Sequence, residues 1–263
     1  MRTTVVSAAV AASALIVTCA LAGSSAAGTA REAPPRRAAL VTAAQGEVAI
    51  VQAVPKLTVT VTVDGDEVQQ DVAEGDIVGP LELAVGSHEV SFADGSQEVT
   101  STVDVTAGGS SDVVVHRPAE VGGPPVVSIY PTPDEPIAPG KARVLLAHTA
   151  TTAPADVVVD GQTVFTNIAN GEFARADVAA GAHEVSLLPA GVSAAPILGP
   201  LDVTLAEGTI TSVYAVGNPK DGSMHVIVRT TEGTSSSAEA PTEIDTGSAG
   251  LVGPVRVWTF TAR

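Results

Sequence analysis

The dominant pattern along the chain is an alternation of apolar and polar positions with a period of two. Leu57 to Gly65 reads LTVTVTVDG, in which Leu57, Val59, Val61 and Val63 are separated by threonines and the run stops at Asp64-Gly65. Successive side chains of an extended chain point to opposite faces, so this is the period of a half-buried strand. Asp-Gly suits the positive φ angles of a tight hairpin turn. VAIVQAVP precedes this run, and PLELAVGSHEVSF (Pro80 to Phe92), QEVTSTVDVT (Gln97 to Thr106) and DVVVH (Asp112 to His116) follow it. After a gap the pattern restarts with ARVLLAH (Ala142 to His148), ADVVVDG, TVFTNI and FARADV, continues through GAHEVSLLPAG, PLDVTLAEG and TITSVYAVG, and closes at HVIVR (His225 to Arg229). Short β-branched runs bounded by Gly or Asp predict an all-β chain of two tandem small β-sandwich domains, Ig-like or transthyretin-like.

The two blocks repeat one another. Val63-Asp64-Gly65 answers Val159-Asp160-Gly161, GSHEVS (Gly86 to Ser91) answers GAHEVS (Gly181 to Ser186), and VDVT at Val103 answers LDVT at Leu201. The spacing between matches shifts by only a few residues, which marks an internal duplication. The expected organisation is a signal peptide at 1–30, a flexible lead at 31–47, sandwich copy 1 at 48–116 and a proline-rich linker at 117–140. Sandwich copy 2 follows at 141–229, then a Ser/Gly-rich tail at 230–263 with a final strand at 255–260. Seven prolines stiffen the linker, although Val126 to Tyr130 could still pair with a neighbouring sheet edge.

The N-terminal reading rests on Arg2, the apolar run Val5 to Leu21 and the small residues that follow, the layout of a cleaved secretory signal. Cleavage would leave no transmembrane segment and, because Cys19 is the single cysteine, no thiol in the mature chain. The expected localisation is therefore secreted, extracellular or in the cell envelope. Twenty-nine acidic residues against thirteen Lys and Arg give a formal net charge of −16, which repels phosphate backbones and argues against a nucleic-acid partner.

The second block, about Lys141 to Arg229, resembles a bacterial family of domains of unknown function numbered 4397 (DUF4397), found in secreted and cell-envelope proteins of actinobacteria. The likeness lies in ARVLLAH, PADVVVDGQTVFTNIANGEF, VAAGAHEVSLLPAG and PILGPLDVTLAEGTITSVYAVG taken in order. Relatives carry an acidic turn after the histidine, where this chain has Thr149 to Pro154. The first block, about Val48 to His116, looks like a diverged copy. The resemblance implies an extracytoplasmic β-sandwich and supplies no activity.

Candidate chemistry is sparse. The repeated His-Glu opens like the zinc motif H-E-x-x-H, but the fourth residue after His88 is Phe92 and after His183 is Leu187, so the second ligand is missing. In a strand, His183, Val185 and Leu187 share one face and Glu184 takes the other. His116, His148 and His225 sit at strand ends, with no spacing that favours a shared ion. No cofactor is expected, and calcium is the better of the metal candidates, with Asp64, Asp66 and Glu67 clustered at one turn and Asp134 with Glu135 at another. No G-x-S-x-G elbow is present, and Ser235 to Ser237 fall in the tail. The expectation is a non-catalytic interaction or structural module with an extracellular or cell-wall partner, recognising it through turns such as Asp64 to Glu67 and Thr149 to Pro154. The alternative is a metal-dependent (calcium or zinc) or hydrolytic extracellular enzyme.

Overall fold

The computed structural model describes residues 43–192 and 194–234. The expected signal peptide and the strand expected at 255–260 lie outside the described residues. Among the described residues sixteen strands form, eight from each copy. Copy 1 supplies β1 (Gln45–Ala53), β2 (Val59–Val63), β3 (Asp66–Val72), β4 (Ile77–Ala84), β5 (Gly86–Ala93), β6 (Glu98–Val105), β7 (Ser110–His116) and β8 (Val126–Pro131). Copy 2 supplies β9 (Lys141–His148), β10 (Ala155–Val159), β11 (Gln162–Ile168), β12 (Phe173–Ala179), β13 (Gly181–Pro189), β14 (Leu198–Leu205), β15 (Thr209–Val216) and β16 (His225–Glu232). None of the described residues is helical, so none of their helices is long and apolar enough to cross a membrane.

The strands build four sheets of four. Copy 1 has an inner sheet ordered β4-β1-β7-β8 and an outer sheet ordered β3-β2-β5-β6. Copy 2 repeats both, strand for strand, as β12-β9-β15-β16 and β11-β10-β13-β14. Even the parallel pair at the centre of each inner sheet recurs, β1 with β7 and β9 with β15, while all other pairs are antiparallel. The duplication legible in the motifs is therefore a duplication of topology. It includes β8, which the proline-rich segment contributes as an edge strand pairing with β7 from Ser111↔Pro131 to His116↔Val126.

Three apolar layers hold the sheets together. Val48, Ile50, Val61, Val90, Phe92 and Val113 lie among the residues packed between the two sheets of copy 1. Leu146, Val157, Ile168, Leu187 and Ala215 do the same in copy 2. The third layer joins the copies: Val51, Ala53, Val114 and Tyr130 of one inner sheet meet Leu145, Ala147, Tyr214, Val216 and Ile227 of the other. The described residues thus form one four-layer body, and the central strands β1, β7, β9 and β15 of the inner sheets are covered on both faces. That is why VAIVQA in β1, VLLAH in β9 and SVYAV in β15 show little alternation: a strand buried on both sides reads as a continuous apolar run. Each such aliphatic side chain contributes about 1.5–3 kcal/mol relative to exposure.

Register makes the equivalences between copies explicit. Ala49 pairs with Asp112 and Asp112 with Tyr130 across the first inner sheet, while Leu145 pairs with Ser212 and Ser212 with Arg229 across the second. Two residues on, Val114 corresponds to Tyr214. The copies meet through corresponding sheets whose facing side chains have diverged.

Candidate functional site

The repeated histidines are anchored, in both copies, by the aspartate of the Asp-Gly turn. Asp64 and Asp160 adopt φ of 52° and 51°, each followed by a glycine at positive φ, so the β2–β3 and β10–β11 hairpins turn tightly. This aims each carboxylate back at the start of the neighbouring strand. His88 Nδ1 lies 2.6 Å from Asp64 Oδ2 and its Nε2 lies 2.7 Å from the Ala84 carbonyl. His183 repeats this with Asp160 Oδ2 at 2.7 Å and the Ala179 carbonyl at 2.8 Å. The other carboxylate oxygen accepts from the backbone N–H of Glu89 at 2.9 Å and of Glu184 at 2.9 Å. Glu89 and Glu184 themselves point to solvent. The partner of the histidine is thus the turn aspartate and not the adjacent glutamate. The unit is a staple that closes one end of the outer sheet.

With an acceptor at each ring nitrogen, the protonated imidazole is the form both sites favour. The carboxylate first and the carbonyl second raise His88 and His183 above the ordinary 6.5. Asp64 is held below 3.8, chiefly by His88 and then by the Glu89 N–H. Asp160 is likewise lowered, by the Glu184 N–H and then His183. A raised histidine adds stability that is complete below its unfolded value and is lost as pH climbs through the folded one. A lowered aspartate adds stability that is lost as pH falls through its folded value. The staples are therefore strongest between about 4 and 6.5. Replacing both His88 and His183 by alanine is expected to lower the Tm more at pH 6 than at pH 9, as read by circular dichroism at both values. An equal loss at the two pH values would show that protonation plays no part.

The calcium candidates are placed differently from one another. Both oxygens of Asp64 are occupied by the staple. Glu67 accepts twice from Gln70 Nε2 at 2.8 Å, and Asp66 lies exposed at the start of β3. Glu135 faces Arg143 and Arg175, each at 3.4 Å. Arg143 in turn grips Asp177 through two bonds of 2.6 and 2.8 Å. Among the described residues no group of three or more His, Cys, Asp or Glu side chains is gathered as metal ligands.

A further set of polar residues meets at the junction between copies, which sequence reasoning did not anticipate. Asp112 on β7 is buried, with 1% exposure, and receives a hydrogen bond from the Tyr214 hydroxyl on β15 and one of 2.8 Å from Arg229 Nη1 on β16. Burial pushes the Asp112 carboxyl up, against the opposing pull of Tyr214 and Arg229. It also drives the Tyr214 hydroxyl well above its ordinary value, reinforced by the Asp112 charge. Asn170 Nδ2 donates to the carbonyls of Arg117 at 3.0 Å and Ala150 at 2.8 Å, tying the copies together at the opposite end of the strands. His225 Nε2 sits 3.2 Å from Glu74 Oε1, another link between copies.

His116 and His148 are buried near this end and burial lowers both below 6.5, with each other's proximity adding to the effect on His116. His116 bonds the Arg117 carbonyl and Ser128 Oγ, at 2.8 and 2.9 Å. The turn Thr149 to Pro154, expected at the surface, begins inside this layer: Thr149 and Ala150 are buried, and Thr149 Oγ1 donates to the Ala215 carbonyl at 2.8 Å.

No curated protein matches this chain. The family model described as Domain of unknown function (DUF4397) matches residues 46–155, a span that covers copy 1 with its eighth strand and reaches the first strand of copy 2. The match thus supports the family likeness but falls mainly on copy 1, read from sequence as the diverged copy, and reaches only to residue 155 of the span, about 141–229, in which the likeness was noted.

Proposed function

We propose that the chain is a non-catalytic module of the extracellular space or cell envelope, in which two DUF4397-like sandwiches act as one rigid body toward an extracellular or cell-wall partner. The observation that carries this reading is the junction. An apolar layer together with the Asp112–Tyr214–Arg229 cluster fuses the copies into a single body. Several of its titratable groups are engaged in holding sheets together: the His–Asp pairs close hairpins, and Arg143 clamps Asp177. Calcium at Asp64, Asp66 and Glu67 is not part of the proposal, since the Asp64 carboxylate is already bonded on both oxygens. The acidic surface, with a net charge of −16, favours partners other than nucleic acid or anionic lipid.

Rigidity has a direct test. Calorimetry of the purified chain is expected to show one cooperative transition whose calorimetric and van't Hoff enthalpies agree. Two resolved transitions would mean that the sandwiches unfold independently and would remove the rigid-body element. Turnover on a panel of esters, peptides and glycans, abolished by a point substitution that leaves the Tm unchanged, would overturn the non-catalytic element. Cell fractionation with mass mapping of the mature N-terminus tests the location.

A further inference from the structure

The two copies close the same end of their first strand with different side chains. Gln52 on β1 and His148 on β9 are equivalent, since Gln52 pairs with Val115 and His148 with Ala215, one position beyond Val114 and Tyr214. Each is buried, at 0% and 1% exposure, and each reaches five residues ahead to a backbone carbonyl in the loop that follows. Gln52 Nε2 donates to the Leu57 carbonyl at 2.6 Å while its Oε1 accepts from the Val54 N–H, so both ends of the amide are satisfied. His148 Nε2 donates to the Ala153 carbonyl at 3.2 Å, and its Nδ1 has no hydrogen-bond partner.

An amide stays neutral at any pH, whereas an imidazole takes up a proton near neutrality. A carbonyl only accepts, so the proton of neutral His148 sits on Nε2 and a second one must go to Nδ1. There it makes a charged N–H buried without an acceptor, among the costliest of buried polar groups. The neighbours give little relief. Thr149 to Pro154 contains no carboxylate, and Ala215, Val216 and Gly217 at the end of β15 carry no charge. From copy 1, β7 brings up His116, a second buried imidazole whose own titration is lowered by burial and further by His148. The Arg117 guanidinium beside it is held by the Gly123 carbonyl at 3.2 Å. In the β11–β12 turn the acid that acts on His148 is Glu172, which is exposed and accepts from the Ala169 N–H at 2.9 Å. Burial outweighs the Ala153 carbonyl, the residue's own carbonyl and the Glu172 charge, and holds His148 below 6.5.

The loop that His148 holds is also part of the tie between copies. Its Thr151 N–H bonds the Gly217 carbonyl at 2.8 Å, and its Ala150 carbonyl accepts from Asn170 Nδ2. The same Asn170 nitrogen reaches across to the Arg117 carbonyl of copy 1, which also receives His116 Nδ1. Movement of the loop therefore takes away one of the two acceptors of Asn170 and leaves this end of the junction with less to hold it.

We propose that His148 is an acid-released latch: its protonation drives the loop Thr149 to Pro154 off the ring so that water reaches Nδ1, loosening this end of the junction, while copy 1, with Gln52 in the same place, stays closed. A histidine lowered in the closed form titrates at about 6.5 once its loop is open. Closure is therefore complete above 6.5 and weakens as pH falls below it, until the closed form itself takes up the proton. Within that window one proton shifts the opening equilibrium by about tenfold per pH unit. The staples at His88 and His183 run the other way, because their raised histidines gain strength as pH falls toward 6.5, so the loop opens with the hairpins still shut. This goes beyond the module reading and would stand even if a catalytic activity were found.

Amide hydrogen exchange of the full chain at pH 7.5 and pH 5.5, corrected for the intrinsic pH dependence of exchange, reads the opening directly. Protection of the Thr151 and Thr152 amides is expected to fall by about tenfold between the two, with the Val54 and Leu57 amides of copy 1 unchanged. His148→Gln, which installs the side chain of copy 1, is expected to abolish the fall while keeping the loop closed at pH 7.5. Protection that holds in the wild type down to pH 5.5 would overturn the proposal. So would a fall of the same size in His148→Gln, which would move the titrating group to His116 or Asp112, or a parallel fall in copy 1, which would mean global unfolding. NMR titration of the wild-type imidazoles gives a check that needs no variant. The His148 ring is expected to titrate below 6.5 with the same midpoint as the Thr151 amide, and separate midpoints would break the link between proton and loop.

Discussion

Asp112→Ala is expected to destabilise the protein by about 3–5 kcal/mol, the loss typical of breaking a buried ion pair from one side, with a fall in Tm on the order of 10 °C. Asp112 is 1% exposed and Arg229 is 8% exposed, so the substitution strands a guanidinium in an apolar layer and removes the acceptor of the Tyr214 hydroxyl. The cost comes chiefly from the orphaned charge, not from the attraction itself, because taking both ions out of water offsets much of their mutual gain. That argument makes a second, sharper expectation. The double variant Asp112→Leu with Arg229→Met should lose far less than Asp112→Ala alone, since neither partner is left charged and unpaired. Thermal unfolding of wild type, the single variants and the double variant completes a cycle that measures the coupling. A double variant at least as unstable as the sum of its singles would refute this account of the junction.

Tyr130→Ala is expected to cost about 3–5 kcal/mol, the range for deleting a large buried aromatic ring. Tyr130 is 1% exposed, packs edge-on to Phe173 with ring centroids 5.5 Å apart, and lies 5.9 Å from the ring of Tyr214. Its hydroxyl, pushed up to about 12 by burial, donates to the Gly171 carbonyl over 3.3 Å, a long bond. Tyr130→Phe therefore retains the ring and gives up a weak interaction, for an expected loss of about 1 kcal/mol or less. Urea denaturation of both variants separates ring from hydroxyl. Similar losses in the two would place the energy in the hydrogen bond and contradict the packing argument.

Both residues show which part of the structure was legible in the sequence. The outer sheets were, because one face of each meets solvent and the other a core. LTVTVTVDG and QEVTSTVDV alternate accordingly, and β2 and β6 follow them. The stacking of the two inner sheets was not read, since a strand covered on both sides has no alternation to detect. DVVVH and RVLLAH are such runs, and their lack of period was itself the sign of a second buried face. Asp112, at the head of DVVVH, reads as a boundary residue for the same reason. Only a partner sheet from the other copy turns it into a buried acceptor.

Tyr130 was hidden by its prolines. Pro124 and Pro125 precede the strand and Pro131 ends it, where the missing N–H does little harm at a sheet edge, so a proline-rich segment can still carry a core side chain. The histidine staples were half legible. V-D-G and G-x-H-E-V-S recur together in both copies, and that joint recurrence was the available signal that aspartate and histidine are partners. Spacing of more than twenty residues and a hairpin between them conceal it until the β2–β5 and β10–β13 pairings are known.

The correspondence between inner sheets has one more consequence. Asp112 stands where copy 2 has Ser212, Arg229 where copy 1 has Tyr130, and Tyr214 where copy 1 has Val114. Two first copies brought together through these faces would set each Asp112 against Val114 and Tyr130 of the other, with no cation to neutralise it. Two second copies would each bury an arginine with no acid. Both homotypic pairings carry the penalty of desolvated, unmatched charge, and only the unlike pairing within one chain avoids it. An exchange of sandwiches between molecules is therefore restricted to head-to-tail partners, and the repeat that built this protein has been edited, at three side chains, into halves that reject their own kind.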